Sequence, residues 1–280
     1  MTPAIPCTVQ LLCRNNAASI GACLDSLGEF AEVIVQDGSS TDGTREIALV
    51  HPNVRIIDQN RAYIDASSRI TDFASMRNES IAAARHDWLF VVDADEAVTP
   101  AQTDEVRSIV QRGIPGVFVA SRRFVVDGKV IDRCSGYPAE QIRLFHRSLT
   151  HGYVKTVHER LHLKNGVTTQ HLQEELLVPL PPASSLPAKH ARYLDMEVRR
   201  LGVVGMGRWT RWILLRNLRT AAGLLLRIAW IRLTPTRATI MPLRYELPYV
   251  AHVLRTIVRT FPPFVAANIR RYGDDAGTKR

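Results

Sequence analysis

Trp88-Leu89-Phe90-Val91-Val92-Asp93-Ala94-Asp95-Glu96 is the stretch on which the fold turns. Its apolar run is too short for an ordinary helix and reads as a strand buried on both faces, the kind found in a sheet covered by helices. Polar character begins at once where the run stops. In open α/β sheets ligands gather at the carboxyl ends of strands, so the acids after Val92 are expected at the mouth of a crevice.

The segments around this strand fit the same reading. Thr8 to Cys13, Glu32 to Gln36 and Val54 to Ile57 are further short apolar runs, separated by helical patterns. A helix is predicted from Ala17 to Leu27, with the Asn16 side chain capping its free amides. A second follows the loop Asp37 to Thr44, and a third covers Ser75 to Arg85. Downstream, Gly116 to Val126 and Lys129 to Arg133 predict a hairpin about Asp127-Gly128, a favoured two-residue turn, and Gln141 to His146 another strand. The fold expected from these runs is α/β, a parallel sheet covered by helices.

The chain has 280 residues, 46% of them hydrophobic and 22% charged, which excludes a collagen or a solvated low-complexity chain. Its net charge of +9 is unevenly placed. Residues 1–188 hold 18 Lys and Arg against 22 Asp and Glu, a balance of −4; residues 189–280 hold 18 against 5, a balance of +13. The Pro- and Ser-rich segment 179–188 predicts a linker between a catalytic domain, 1–178, and a helical Arg-rich region, 189–280. Cys7, Cys13, Cys23 and Cys134 lack metal-ligand or disulfide spacing, and no basic patch precedes an apolar run at the start. A cytoplasmic catalytic part is expected.

Asp93 and Asp95 concentrate negative charge at a strand end, where a hard cation such as Mg²⁺ or Mn²⁺ would bridge them to a diphosphate. Asp37 ends an apolar strand and could accept hydrogen bonds from a nucleobase or ribose, while its loop also has the composition of a helix cap.

Cys7 to Thr44, with Arg14-Asn15-Asn16 and the Asp37 loop, resembles the opening of family 2 glycosyltransferases of the GT-A fold. Phe73-Ala74-Ser75-Met76-Arg77-Asn78-Glu79, Asp87-Trp88, Val91 to Glu96, Ile142-Arg143-Leu144-Phe145 and Val157-His158-Glu159-Arg160 are similar to the branch that includes lipopolysaccharide core glycosyltransferases. The resemblance implies inverting transfer from a UDP- or other NDP-sugar to a glycan or lipid-linked envelope acceptor. It implies a Rossmann-like mixed sheet flanked by helices, with Asp37 on the nucleoside, Arg14 and Ser40 among the donor-binding residues, Asp93 and Asp95 at the metal and diphosphate, and Arg77 at the diphosphate; His158 is a candidate further metal ligand or diphosphate donor. Gln36 stands where many members carry a second acid. Glu159 and Glu140 are the two candidates for the general base that takes the acceptor's proton. Two rivals are a nucleotidyltransferase, which would release pyrophosphate, and a non-catalytic module binding nucleic acid through its basic tail.

In that tail, Ile213, Leu214, Leu218, Leu224, Leu225 and Ile228 recur at helical spacing, with Arg208, Arg211, Arg216, Arg219 and Arg227 opposite them. Leu215 and Leu226 fall on the arginine side. No apolar run approaches the ~20 residues of a membrane span, so 208–233 is expected to lie in an anionic membrane interface, with Trp209, Trp212 and Trp230 among the headgroups. Nucleic acid is not an expected partner.

Overall fold

The computed structural model describes residues 3–65, 70–156, 159–201 and 204–262. They form two compact units, one of residues 1–124 and 138–179, the other of 125–137 and 180–280.

The first unit is built on a mixed sheet. Strands β1 (Ile5–Cys13), β2 (Phe30–Asp37), β3 (Val54–Asp58) and β4 (Trp88–Val91) run parallel in the order β4-β1-β2-β3. On the other side of β4 come β7 (Glu140–His146), antiparallel, then β5 (Val117–Val126), antiparallel to β7, and β10 (Gln170–His171), parallel to β5. Helices α1 (Ile20–Asp25), α2 (Thr44–Leu49), α3 (Phe73–Ala83) and α4 (Pro100–Gln111) connect the strands. The central strands are buried on both faces: side chains of one core include Val9, Leu11, Val33, Val35, Phe90 and Val92, and those of the other include Ile34, Leu89, Val91, Val117 and Phe145. That double burial is why these strands read as continuous apolar runs.

The helix expected from Ala17 to Leu27 is shorter, and Asn16 does not cap it by its side chain. Asn16 Oδ1 instead accepts from Arg14 N at 2.9 Å, and its backbone carbonyl receives Ser19 N and Ile20 N. The asparagine is spent on the preceding loop, which leaves α1 to start at Ile20.

A short antiparallel pair, β8 (Thr150–Val154) and β9 (Arg160–Leu163), is fastened to α3 by Asn78. Asn78 Oδ1 accepts from Tyr153 N at 2.7 Å, and Nδ2 donates to Tyr153 O at 3.0 Å. The amide lies so close to Gly152, whose φ is +94°, that a Cβ there would meet Oδ1 at 2.7 Å. Only glycine fits that close approach with that backbone.

In the second unit, β6 (Lys129–Val130) turns back on Val125 and Val126, with Val126 facing Lys129 across the Asp127-Gly128 turn, both of whose residues have positive φ, 50° and 74°. This is the turn expected of Asp-Gly in a two-residue hairpin. The rest is helical: α5 (Leu186–Leu201), α6 (Met206–Trp209), a π-helical turn Thr210–Leu214, α7 (Leu215–Leu233) and α8 (Leu243–Arg259). Pro187 sits in the first turn of α5, where no intrahelical partner for its missing N–H is needed. The buried Glu246 on α8 holds the hairpin arm, accepting from Ser135 N at 3.1 Å and from Ser135 Oγ.

Ala221, Ile228, Val250 and Val253 make the core between α7 and α8. Trp209, expected among headgroups, is buried and donates Nε1 to Thr260 Oγ1 at 3.2 Å. Ile213 and Leu224 are half-buried, whereas Leu218 and Leu225 are exposed together with Trp212, Leu215, Leu226, Trp230 and Leu233. The apolar side predicted to face a membrane is therefore largely the packed side, and a second apolar set stands in solvent. Trp209 lies before the π-helical turn, which rotates it relative to the 3.6-residue phase of α7. No helix among the described residues is long and apolar enough to cross a membrane.

Candidate active site

Two loops at the carboxyl ends of the parallel strands form the site. The first joins Arg14–Ala17, after β1, to Ser39–Thr44, after β2. Asn15 N donates to Ser40 Oγ (2.8 Å), Thr41 N to Asn15 Oδ1 (2.9 Å), Asn16 N to Thr44 Oγ1 (2.8 Å) and Ala17 N to Asp42 Oδ2 (2.9 Å). Each loop thus satisfies the backbone of the other. Asn15 and Ser39 both take left-handed backbone, φ 54° and 59°, a conformation costly for side-chain-bearing residues outside a constrained loop. The side chain of Arg14 lies against Gly38, where an added Cβ would stand 3.1 Å from Arg14 Cβ and 2.8 Å from Gln59 Oε1.

Asp37 is fully buried beneath this loop. It accepts from Ser40 Oγ at 2.5 Å, Ser40 N at 3.1 Å, Arg45 Nη1 at 3.0 Å and, weakly, Cys13 Sγ at 3.5 Å. Burial pushes the carboxyl's pKa up, but these donors outweigh it and hold Asp37 below the usual carboxylate range. Gln36 points the other way, as strand alternation requires, and its amide meets Ser80 Oγ at 2.7 Å and Glu79 Oε2 at 3.4 Å.

The second loop follows β4. Asp93 N donates to Glu96 Oε2 at 3.0 Å and Glu96 N to Asp93 O at 2.9 Å, closing a tight turn that sends Glu96 inward and leaves Asp95 exposed. Beneath it lies Arg143 of β7, fully buried, donating to Val91 O (3.1 Å), Asp93 Oδ2 (3.2 Å) and Glu96 Oε1 (2.6 Å). Arg77 of α3 approaches from the other side. Its Nε donates to Glu159 Oε1 at 2.9 Å, its Nη2 stands 3.7 Å from Asp93 Oδ1, and its guanidinium lies 5.8 Å from the Tyr153 ring centre. One arginine therefore joins Asp93 to Glu159.

Desolvation raises the pKa of Asp93, but Arg143 and Arg77 prevail and hold its carboxyl below the usual range. Glu96 is driven up to about 7, by desolvation and by repulsion from Asp93 and Asp95, despite its pairing with Arg143. Arg122 on β5 adds a third cation; desolvation first, then the Arg143 charge, lowers its pKa. Among the described residues, Nη1 of Arg77 and Nε of Arg122 and Arg143 are buried without a hydrogen-bond partner. Buried donors are rarely left so, and their convergence on one acidic turn suits an anion with several oxygens.

The expected site residues thus fall into two groups, Asp37, Arg14 and Ser40 at one loop, Asp93, Asp95, Arg77 and Glu159 at the other. Glu140 stands apart from the bridging arginine, partly exposed at the start of β7, with His171 Nδ1 at 3.9 Å. His158 lies outside the described residues, and among those described no cluster of three or more metal-ligating side chains occurs. Asp93 and Asp95 supply oxygen donors of the type a hard cation takes, and Mg²⁺ commonly binds through one or two carboxylates with phosphate and water completing its shell. The residues present fit such an ion. Sequence reasoning missed Arg143, Arg122 and Glu96. The signal was a charged residue inside the apolar string Ile142-Arg143-Leu144-Phe145, since arginine is almost never fully buried unless paired.

Comparison with known proteins places residues 8–158 in the sequence model of glycosyl transferase family 2. The lipopolysaccharide core biosynthesis glycosyltransferase LpsC of Rhizobium meliloti (strain 1021) is 28% identical over 152 residues, covering 51% of this chain and 49% of LpsC. The succinoglycan biosynthesis protein ExoO of the same organism is 31% identical over 182 residues, covering 56% and 49%. The chain spans about half the length of these curated relatives. Among solved structures, the mannosyltransferase PcManGT from Pyrobaculum calidifontis, in complex with GDP-Man and Mn²⁺, aligns over 100% of this chain and 89% of its own at 15% identity and a TM-score of 0.47.

Proposed function

Because the chain belongs to glycosyl transferase family 2, whose model spans residues 8–158, we propose that its GT-A-type sheet carries an inverting transfer of a sugar from a nucleoside-diphosphate-sugar to an acceptor hydroxyl. The observation that carries the reading is Arg77, which touches both Asp93 and Glu159.

The nucleoside is received at the Asp37 loop, with Arg14 and Ser40 beside it. Asp37 has its oxygens engaged, so a ribose hydroxyl or base imide takes the place of Ser40 Oγ on Oδ1. The diphosphate lies over the Asp93 turn, where Arg77 and Arg122 present buried donors that lack partners among the described residues. Three arginines there face four carboxylates, Asp93, Asp95, Glu96 and Glu159. Asp93 and Asp95, with His158 a further ligand, would hold Mg²⁺ or Mn²⁺, which would supply positive charge to stabilise the departing nucleoside diphosphate.

Glu159 is the proposed base. Arg77 occupies its Oε1, leaving Oε2 for the acceptor hydroxyl. The acceptor oxygen attacks the anomeric carbon from the face opposite the leaving group, its proton passes to Glu159, and the bond electrons leave with the diphosphate. Glu140 is the alternative base, at the exposed start of β7. The names of LpsC and ExoO support a glycan or lipid-linked envelope acceptor. The exposed Trp212, Leu226 and Trp230 with nearby arginines support a peripheral position on an anionic membrane, at its cytoplasmic face.

A thermal-shift screen of nucleotide sugars with and without Mn²⁺ tests the donor, because a ligand bound only by the folded chain raises its apparent stability. We expect a metal-dependent shift that Asp95→Asn removes, and Glu159→Gln to lower turnover ~10²-fold while leaving that shift intact. Loss of turnover in Glu140→Gln but not Glu159→Gln would exchange the two roles; release of pyrophosphate instead of nucleoside diphosphate would end the transferase reading.

A further inference from the structure

The helical unit contains a cavity of about 820 Å³ among α5, the stretch from Arg208 to Thr220, and α8. The geometry points to this cavity as a binding site for a single phosphate-bearing lipid, its anionic head among Arg208 and Arg216 and its chain against Leu201, Ile213 and Val253. The proposal rests on the membrane reading for the source of the lipid, and adds to it a site for one molecule.

Three observations carry it. The lining is divided by chemistry, apolar at Leu201, Val204, Ile213 and Val253, polar or cationic at Arg208, Arg216, Asn217, Thr220 and Tyr249. Such mixed walls with a few placed polar groups are typical of ligand sites of this size. Second, Arg208, Trp212, Arg216 and Thr220, from the stretch on either side of the π-helical turn, all line the cavity. Among the described residues neither arginine has a carboxylate partner, and Glu197 is the one acid lining the cavity. Guanidinium forks of this kind match phosphate oxygens in pairs. Third, His252 lines the cavity, and its buried Nδ1 has no hydrogen-bond partner among the described residues. A buried polar atom left unpaired is costly, and a head group, directly or through water, would complete its bonding.

The position of Trp212 separates a lipid from a free phosphate as the occupant. It belongs to the cavity wall and is also 63% exposed, beside Leu215 on the solvent-facing apolar side. An acyl or polyprenyl chain leaving the cavity past Trp212 would stay against apolar surface. Inorganic phosphate would make no use of half the lining.

Dihexanoyl phosphatidic acid, which stays monomeric, probes the cavity apart from any bilayer. Titrated into the full chain, it should raise the melting temperature, while dihexanoyl phosphatidylcholine and inorganic phosphate at equal concentration should not. The double variant Arg208→Gln/Arg216→Gln should weaken binding about tenfold or more, as expected for lost charged hydrogen bonds. Thr220→Phe, which narrows the cavity at an exposed position, should do the same if the double variant folds poorly. No shift with phosphatidic acid, an equal shift with inorganic phosphate, or undiminished affinity in both pocket variants would overturn the site. Failure of the membrane reading shows separately: Leu226→Ser/Trp230→Ser should weaken binding to phosphatidylglycerol vesicles and make what is left reversible by salt, yet keep the phosphatidic acid response. Vesicle binding unaffected by that pair would remove the membrane face and leave the pocket standing on its own titration.

Discussion

The arginines of the two units are used in opposite ways. In the first unit Arg143 is fully buried and grips Glu96 at 2.6 Å, Arg77 is nearly as buried and grips Glu159, and Arg55 holds the buried Glu32. In the second, Arg208, Arg211, Arg216, Arg219 and Arg227 are exposed and make no ion pair among the described residues. Charge inside the sheet unit is internal, balanced, and fixes the shape of an acidic turn. Charge on the helices is left over, and a surface with unspent cations next to exposed Trp and Leu attracts something anionic from outside.

The sharpest way to break this contrast is to remove the internal charge. Arg143→Met keeps the volume but strands Glu96 and loosens Asp93. Breaking a buried pair from one side costs about 3–5 kcal/mol, and we expect that loss in urea unfolding, together with loss of donor-dependent stabilisation. A loss no larger than ~0.5 kcal/mol, the size of an ordinary surface substitution, would mean that Arg143 does not hold the turn. The same substitution at Arg219 should fall within that surface range.

What could be read in advance follows the range of the interactions. The strands announced themselves because each is a local apolar run, and the loops after β2 and β4 because acids follow those runs directly. The pairing of Arg14–Asn16 with Ser39–Thr44 was visible only as a co-occurrence, since its bonds cross some 25 residues. Arg143 was out of reach for a stronger reason. Its partners lie 47 and 50 residues earlier, and only the antiparallel register of β7 on β4 brings them together. On the helices Leu215 and Leu226, read on the arginine side, are exposed as the arginines are, whereas the burial of Trp209 was out of reach because a π-helical turn separates it from α7.

A smaller effect tests whether internal charge also sets the pH response. Glu32, buried, accepts from Arg55, Arg85 N and Thr8 Oγ1; desolvation raises its pKa, but these donors prevail and hold it below its ordinary 4.5. A carboxyl lowered by folding contributes stability that is present above its unfolded value and lost as pH falls through the folded one. Glu32→Gln should therefore cost about 2 kcal/mol at neutral pH, where charged hydrogen bonds are intact, and less as the wild type is acidified below about pH 4. Equal costs at pH 7 and pH 3 would show that the glutamate's packing, and not its charge, is what matters.

The smallest effect on stability, and the clearest on partition, is expected at the exposed helix face. Leu226 and Trp230 are each 72% exposed, so replacing both by Ser should leave the unfolding transition within ~0.5 kcal/mol of its starting value. Binding to anionic vesicles draws on two sources, apolar side chains entering the acyl boundary and basic side chains worth on the order of 1 kcal/mol each near the surface. Salt screens the second and not the first. The unaltered chain should therefore be released only in part by high salt, and the double variant almost wholly. Trp209→Ser separates this from general damage: Trp209 is packed inside and bonded to Thr260, so its loss should lower stability while the outer face stays apolar. If Trp209→Ser weakens vesicle binding as much as the Leu226 and Trp230 changes do, at equal fractions folded, the membrane contact is not on the outer face and its exposed leucines serve another surface.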